Sequence, residues 1–228
     1  MIPRDMMLYF YVFAVALGTF QTGWAIFGNT QTAPVFIQKF GWNPSQAKLY
    51  TTLISNASIV GLFVGSLLGG KVIQSGRRKA ILAMNAIIFV GTGFTLVLSV
   101  PTLLFGRFIC GCACGVFNIC MSKSIYESVP PSRSSIFEPM TNISICVAGV
   151  ICLFLGLALP DQEINYVNDQ NWRIIYGFPI VWASAQLFLM ITVFKYEPVS
   201  FLIANKKDDE VMQFLPMLYS TPYAKSEE

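Results

Sequence analysis

The 228-residue sequence contains no histidine. That absence excludes His-ligated metal and haem sites and Ser–His–Asp catalysis. Charge is scarce as well: 12% of residues are Asp, Glu, Lys or Arg, against roughly 25% in ordinary soluble domains. Acidic residues are missing altogether from the long apolar stretches. With no nucleophile–base set, an enzyme is not expected, and neither is a metal or a cofactor. The net charge of +3 gives no sign of a nucleic-acid partner, and none is expected.

What the chain has instead is apolar length. Hydrophobic residues make up 54% and fall in blocks of about 20, the length a helix needs to cross a bilayer core of roughly 30 Å. In hydrocarbon every backbone N–H and C=O must be paired internally, so these blocks are expected to be helices. Six spans are read: Met7–Gly28, Leu49–Ile73, Ala80–Ser99, Leu103–Ser122, Thr141–Pro160 and Ile174–Phe194. The first is too long for a signal peptide's apolar region and no small-residue cleavage site follows it, so it reads as a mature span. The expected fold class is an all-α membrane protein. A six-transmembrane-helix bundle over residues 1–195 is followed by a cytoplasmic segment over 196–228, with an amphipathic helix around Asp208–Leu218. Membrane lipids are the first partner this implies.

Basic residues divide unevenly between the two sides. Lys39, Lys48, Arg107 and Arg173 fall on one; Arg4, Lys71, Arg77, Arg78, Lys79, Lys123, Arg133, Lys195, Lys206, Lys207 and Lys225 fall on the other. The positive-inside rule makes the second side cytoplasmic, with both termini there. Turn signals agree. Asn43-Pro44-Ser45 ends an external loop and is placed to cap the second helix, Gly76-Arg77-Arg78-Lys79 is a cytoplasmic hairpin, and Pro101 opens the fourth span.

Small and polar residues inside the spans are patterned. Ala57, Gly61, Gly65 and Gly69 recur every four residues on one face of the second span, as Gly111 and Gly115 do in the fourth. Such stripes let two helix backbones approach closely. The second-span stripe has two readings: packing within this bundle, or docking of a helix from outside it. The expectation put to test is the outside helix. Gln21, Thr22, Asn29, Asn118 and Asn142 are the polar span residues suited to lining a hydrophilic path. Arg107 reads either as a snorkelling anchor or as part of a site. The six cysteines, Cys110, Cys112, Cys114, Cys120, Cys146 and Cys152, read as small buried apolar residues.

Several motifs carry a resemblance. Gly18-Thr19-Phe20-Gln21-Thr22-Gly23-Trp24 looks like Gly-x-x-Gln-Phe-Gly-Tyr, with Ala33-Pro34 following. Gly69, Gly76, Arg77 and Arg78 match Gly-x-x-x-Asp-Arg-x-Gly-Arg-Arg. Arg107-Phe108, Gly111, Gly115, Glu127 and Pro130 match Arg-Phe-x-x-Gly-x-x-x-Gly and Glu-x-x-Pro in register. Trp172-Arg173, then Glu197 with Phe201-Leu202, follow in order. From about Gly18 to Tyr219 the chain resembles the amino-terminal half of sugar porters of the major facilitator superfamily, the facilitative glucose transporters above all.

The resemblance implies half of a twelve-span carrier and a small sugar such as a hexose. It also implies a cytoplasmic gate at Gly76, Arg77, Arg78, Glu127 and Glu197. The departures are specific. The signature's acidic position is Ile73 and its basic neighbour Gln74. Ser200 and Ser134 stand where the family has latch arginines, and Ala25 stands where proton-coupled members have an aspartate facing the fourth-span arginine. Two functions follow as expectations. One is a half-size carrier giving passive facilitation when paired with a second half or a second copy. The other is a degenerate transporter half serving as a structural subunit beside another membrane subunit.

Overall fold

The computed structural model of the chain describes residues 4–129, 134–157, 159, 170–195, 197–206 and 211–213. Its helices are α1 (Arg4–Lys39), α2 (Pro44–Val72), α3 (Arg77–Thr95), α4 (Val100–Ser128), α5 (Ser134–Phe137), α6 (Met140–Gly156), α7 (Trp172–Gly177), α8 (Pro179–Thr192) and α9 (Val199–Ala204). A short 3₁₀ turn, Ile73–Ser75, joins α2 to α3.

Four stretches are long and apolar enough to cross a membrane: Met6–Lys39, Pro44–Ser75, Val100–Ser128 and Trp172–Thr192. α6 adds a shorter apolar helix of 17 residues. α3 has 19, and it begins on Arg77, Arg78 and Lys79. The helices fall where the six spans are expected, with shifted ends: α1, α2 and α4 run longer, while α3 stops at Thr95, short of Ser99. The first does not stop at Gly28. It runs on through Ala33 and Pro34 to Lys39, because Phe36 packs there on Trp172 and Tyr176 with ring centroids 5.2 and 5.4 Å away. The last span passes from α7 to α8 through Phe178, whose φ −58° and ψ −31° are helical. The amphipathic helix expected at Asp208–Leu218 lies largely outside the described residues.

Local signals set several ends. Asn43 is the extended N-cap of α2, and its N–H donates to Gln46 Oε1 at 3.2 Å. Ser99 precedes α4, with Pro101 in the first turn where a missing N–H costs nothing. Gly76 ends the 3₁₀ turn at φ +130°, a region that favours glycine. A Cβ there would also meet Glu197 Oε1 at 2.6 Å.

α1 touches α2, α4, α6, α7 and α8; α4 touches α1, α2, α3, α5, α6 and α9. These two helices form the centre. Their shared core includes Tyr11, Val15, Phe117 and Met121, closed by Met84 and Ile88 of α3 and by Phe194. The outside is apolar as well: Phe63, Leu67, Phe154, Leu157 and Phe188 are exposed. Large apolar side chains exposed on several helices fit a surface that faces a bilayer. In a bilayer it faces lipid or another membrane-embedded surface.

The α2 stripe is where the structure corrects the sequence reading. Gly61 and Gly65 face α4 of the same chain: a Cβ on Gly61 would collide with the Phe108 carbonyl, and one on Gly65 with the Cys112 carbonyl. Gly111 and Gly115 are reciprocal, set against the carbonyls of Ser58 and Leu62. Gly69 continues the seam against Val116 and Ile119. The outside helix is therefore not the occupant of this face. Ala57 is partly buried, and Ser58 beside it is buried with its carbonyl facing Gly111. The period-four stripe and the fourth-span pair are two halves of one intrachain contact.

Candidate functional site

A groove of about 700 Å³ opens between α4 and α6. Asn118, Ser122, Lys123 and Tyr126 line it from α4; Thr141 and Asn142 line it from α6, with Glu138 just before that helix. Asn118 and Asn142, predicted independently, thus share one groove. Thr22 of α1 joins them, its hydroxyl donating to Asn118 Oδ1 at 3.0 Å. That bond fixes which amide atom faces α1, leaving the Asn118 N–H₂ as the donor end. Ser122 bonds back to the Asn118 carbonyl at 3.0 Å, one turn on.

The other two path candidates lie elsewhere. Asn29 is buried near the Phe36 end of α1. It donates to Ser55 Oγ of α2 and accepts the Tyr176 hydroxyl at 3.0 Å. Gln21 is buried too and donates to the Pro179 carbonyl at 2.9 Å, at the start of α8. Each ties α1 to a neighbouring helix.

Gln21 also borders a smaller cavity, about 30 Å³, shared with Trp24, Ala25, Thr92, Arg107, Cys110, Cys114 and Tyr176. Arg107 does not snorkel. It is 6% exposed, donates to the Ala25 carbonyl at 2.6 Å and stands 5.6 Å from the Tyr176 ring centre. The anchor reading falls because α4 begins at Val100, two helical turns before Arg107, and sinks this arginine between α1 and α7.

At the opposite end of the bundle the five gate candidates gather. Arg77 Nη2 donates to Glu127 Oε1 at 2.6 Å, and Arg77 Nη1 donates to the Ile73 carbonyl at 3.2 Å. The guanidinium lies 4.4 Å from the Phe201 ring centre. Glu197 accepts the N–H groups of Arg78 and Lys79 at 2.8 and 3.3 Å. A carboxylate at the first turn of α3 satisfies otherwise orphaned donors and complements the helix dipole. Arg78 reaches the other way, its Nε donating to the carbonyls of Met190 and Phe194. The cluster knits α3, α4, α8 and α9 within this one bundle.

Sequence reasoning missed Asn85 and Gln186. Both are buried; Asn85 Nδ2 donates to Gln186 Oε1 at 3.0 Å, and Gln186 Nε2 donates to the carbonyls of Ala14 and Val15 at 3.0 and 3.1 Å. The pair pins α3 and α8 to α1. One available signal was a lone amide in each of two otherwise apolar spans, which needs a partner in hydrocarbon. The cysteine reading holds for Cys114, Cys120 and Cys152, which are buried, and fails for Cys146, which is exposed. Cys146 follows Ile143 on the outer side of α6, where apolar residues meet the surroundings.

Four membrane-length stretches with α3 and α6 packed beside them, and α1 and α4 at the centre, define the class: one half of a major facilitator superfamily fold. The structure of the major facilitator superfamily proton:xylose symporter XylE bound to 6-bromo-6-deoxy-D-glucose is similar with a TM-score of 0.84, over 99% of this chain and 52% of that one, at 17% identity. The inward open conformation of the xylose transporter XylE from E. coli gives 0.78, over 96% and 54%, at 16% identity. The family described as "Sugar (and other) transporter" matches residues 11–227; the chain belongs to that family. Its relatives include Hexose transporter 1 of Toxoplasma gondii, 25% identical over 91% of this chain and 40% of that protein. Facilitated glucose transporter member 3 of Oryctolagus cuniculus is 28% identical over 94% and 45%. The chain thus spans less than half the length of these relatives. They are transporters, not enzymes.

Proposed function

We propose that this bundle is the amino-terminal half of a sugar carrier and moves a hexose by passive facilitation together with a second six-helix unit. The observation that carries the reading is the groove shared by Asn118 and Asn142, with Thr22 holding the Asn118 amide. Paired amides offer donors and acceptors to a hydroxyl-rich solute, with Lys123 and Glu138 also lining the groove. No Asp or Glu lies within a predicted span of this chain, so these spans supply no carboxylate to carry a proton with the sugar. Gln21 and Asn29 are assigned to holding the path walls, since their amides are engaged with α8, α2 and α7. The Gly76–Arg77–Arg78 turn with Glu127 and Glu197 serves as the cytoplasmic gate hinge, and both termini lie on that side.

Hexose transport in the relatives, read with the fold, supports a site completed by a second half. The test is paired reconstitution. The purified chain alone in liposomes is expected to leave glucose uptake at background. Adding the carboxyl-terminal half of the Toxoplasma gondii relative is expected to give saturable uptake that a competing hexose blocks. Uptake that stays at background in the pair, or that ignores Asn118→Ala and Asn142→Ala, overturns the reading. It would leave the structural-subunit role, which the non-latch residues Ile73 and Gln74 favour.

A further inference from the structure

Arg107 carries a charge that the bundle does not balance. A guanidinium stays protonated in proteins, and a buried charge is costly unless it is paired. Among the described residues no carboxylate oxygen lies within 4.0 Å of it; the ion pair there is Arg77–Glu127, at the other end of the bundle. Arg107's protein contacts are the Ala25 carbonyl and the Tyr176 ring face. Both are partial charges. Its Nε–H, fully buried, has no acceptor among the described residues.

That orphaned donor belongs to a side chain lining the 30 Å³ cavity. The volume suits a single water or an ion of similar size. The other polar walls mix donors and acceptors, and none of them is charged. Gln21 spends one amide N–H on Pro179 and keeps a second. The Thr92 hydroxyl stands 4.0 Å from Cys110 Sγ, a weak partner. Among the residues lining the cavity Arg107 is the one charged side chain. A water would satisfy the hydrogen bond but leave the charge.

We propose that the Arg107 cavity binds one small monovalent anion, chloride, as the counterion of Arg107. The ion completes the contact by which α4 grips α1 at Ala25. This site is independent of what the carrier moves, so it stands or falls apart from hexose transport.

The test is thermal unfolding of the full chain in detergent micelles at fixed ionic strength, with gluconate exchanged for chloride or bromide. A ligand that binds the folded state raises Tm saturably with its concentration. Chloride and bromide are expected to do so. Ala25→Asp places a carboxylate on the same wall and is expected to abolish the halide response. A Tm indifferent to halide in the unaltered chain overturns the proposal and leaves a water in the cavity. So does a halide response that survives undiminished in a folded Ala25→Asp variant. Crystals grown in bromide give an independent reading: an anomalous peak within hydrogen-bond distance of Arg107 Nε is expected. Bromide peaks confined to the surface overturn the proposal even if Ala25→Asp fails to fold.

Discussion

Arg77 on α3 and Glu127 on α4 meet at 2.6 Å, fifty residues apart in the chain, with their side chains only 11% and 12% exposed. Their neighbours are consistent with a fixed pair. Phe201 covers the guanidinium, and the Arg77 carbonyl accepts from the Cys120 thiol at 3.4 Å. Removing one partner strands the other in a poorly hydrated place. Glu127→Ala is expected to destabilise the bundle by about 3–5 kcal/mol, the usual consequence of breaking a buried pair. Glu127→Gln, which keeps an oxygen for Arg77, should lose less. Unfolding in graded denaturing detergent measures both, and equal losses would show that the charge carries the whole contribution and the retained oxygen none.

The α2–α4 seam makes a sharper prediction. Each of Gly61, Gly65, Gly111 and Gly115 sets its Cα against a carbonyl of the opposing helix. Gly65→Ala must push α2 away from Cys112, an overpacking that costs about 1–3 kcal/mol. Gly70→Ala, with open space around its position, should gain up to about 1 kcal/mol from helix propensity. Thermal unfolding of the two variants should move in opposite directions. A neutral Gly65→Ala would mean that the helices are not in backbone contact there.

The seam also marks what the sequence could and could not disclose. Six apolar blocks were legible because hydrocarbon leaves a chain little choice but helix. Period four disclosed that Gly61, Gly65 and Gly69 share a face. It could not disclose whose backbone fills it, since a stripe looks the same to an inner helix and an outer one. Arg107 was ambiguous for a related reason. Hydropathy prices an arginine by depth, but the Ala25 carbonyl and Tyr176 ring that receive it sit 82 and 69 residues away in sequence. Asn118 and Asn142 were found because an amide in an apolar run is conspicuous. Asn85 is equally so, yet its partner Gln186 is 101 residues distant, and only the fold joins them.

That pair is testable by itself. Gln186→Leu would leave Asn85 Nδ2 without its interhelical partner and remove the bonds to the Ala14 and Val15 carbonyls. An unsatisfied buried polar group costs about 1–3 kcal/mol. The double change Asn85→Leu with Gln186→Leu should recover part of the loss, because no polar side chain then remains unpaired. Additive losses in that cycle would show that the two amides do not act together.

The uneven basic residues predict a topology that labelling can test. A cysteine introduced at Asn165, between the fifth and sixth spans, is expected to react with an impermeant thiol reagent applied outside intact cells. One at Lys206 is expected to react only after permeabilisation. The background must have the native cysteines replaced, because Cys146 is exposed on α6. The reverse labelling pattern would invert the assignment of both termini.

Thr22 and Asn118 should contribute unequally to the proposed path. The Thr22 hydroxyl donates to Asn118 Oδ1, so it orients an amide rather than presenting one. Asn118 lines the groove with Asn142 opposite, and its N–H₂ is the group free to meet a solute hydroxyl. Asn118→Leu removes that donor and also leaves Thr22 without its acceptor. A hydrogen bond contributes about 0.5–1.5 kcal/mol net, and 1.4 kcal/mol is about tenfold in affinity. Glucose uptake by the paired halves should therefore show KM raised by about two- to tenfold in Asn118→Leu. Thr22→Val keeps the amide but lets it rotate, so its KM should rise less. Asn118→Asp separates the two roles: it still accepts from Thr22 but has no donor for the sugar. It should resemble Asn118→Leu in KM while keeping the α1–α4 contact, read as an unchanged Tm. A larger effect from Thr22→Val than from Asn118→Leu would place the solute against α1 and not in the α4–α6 groove.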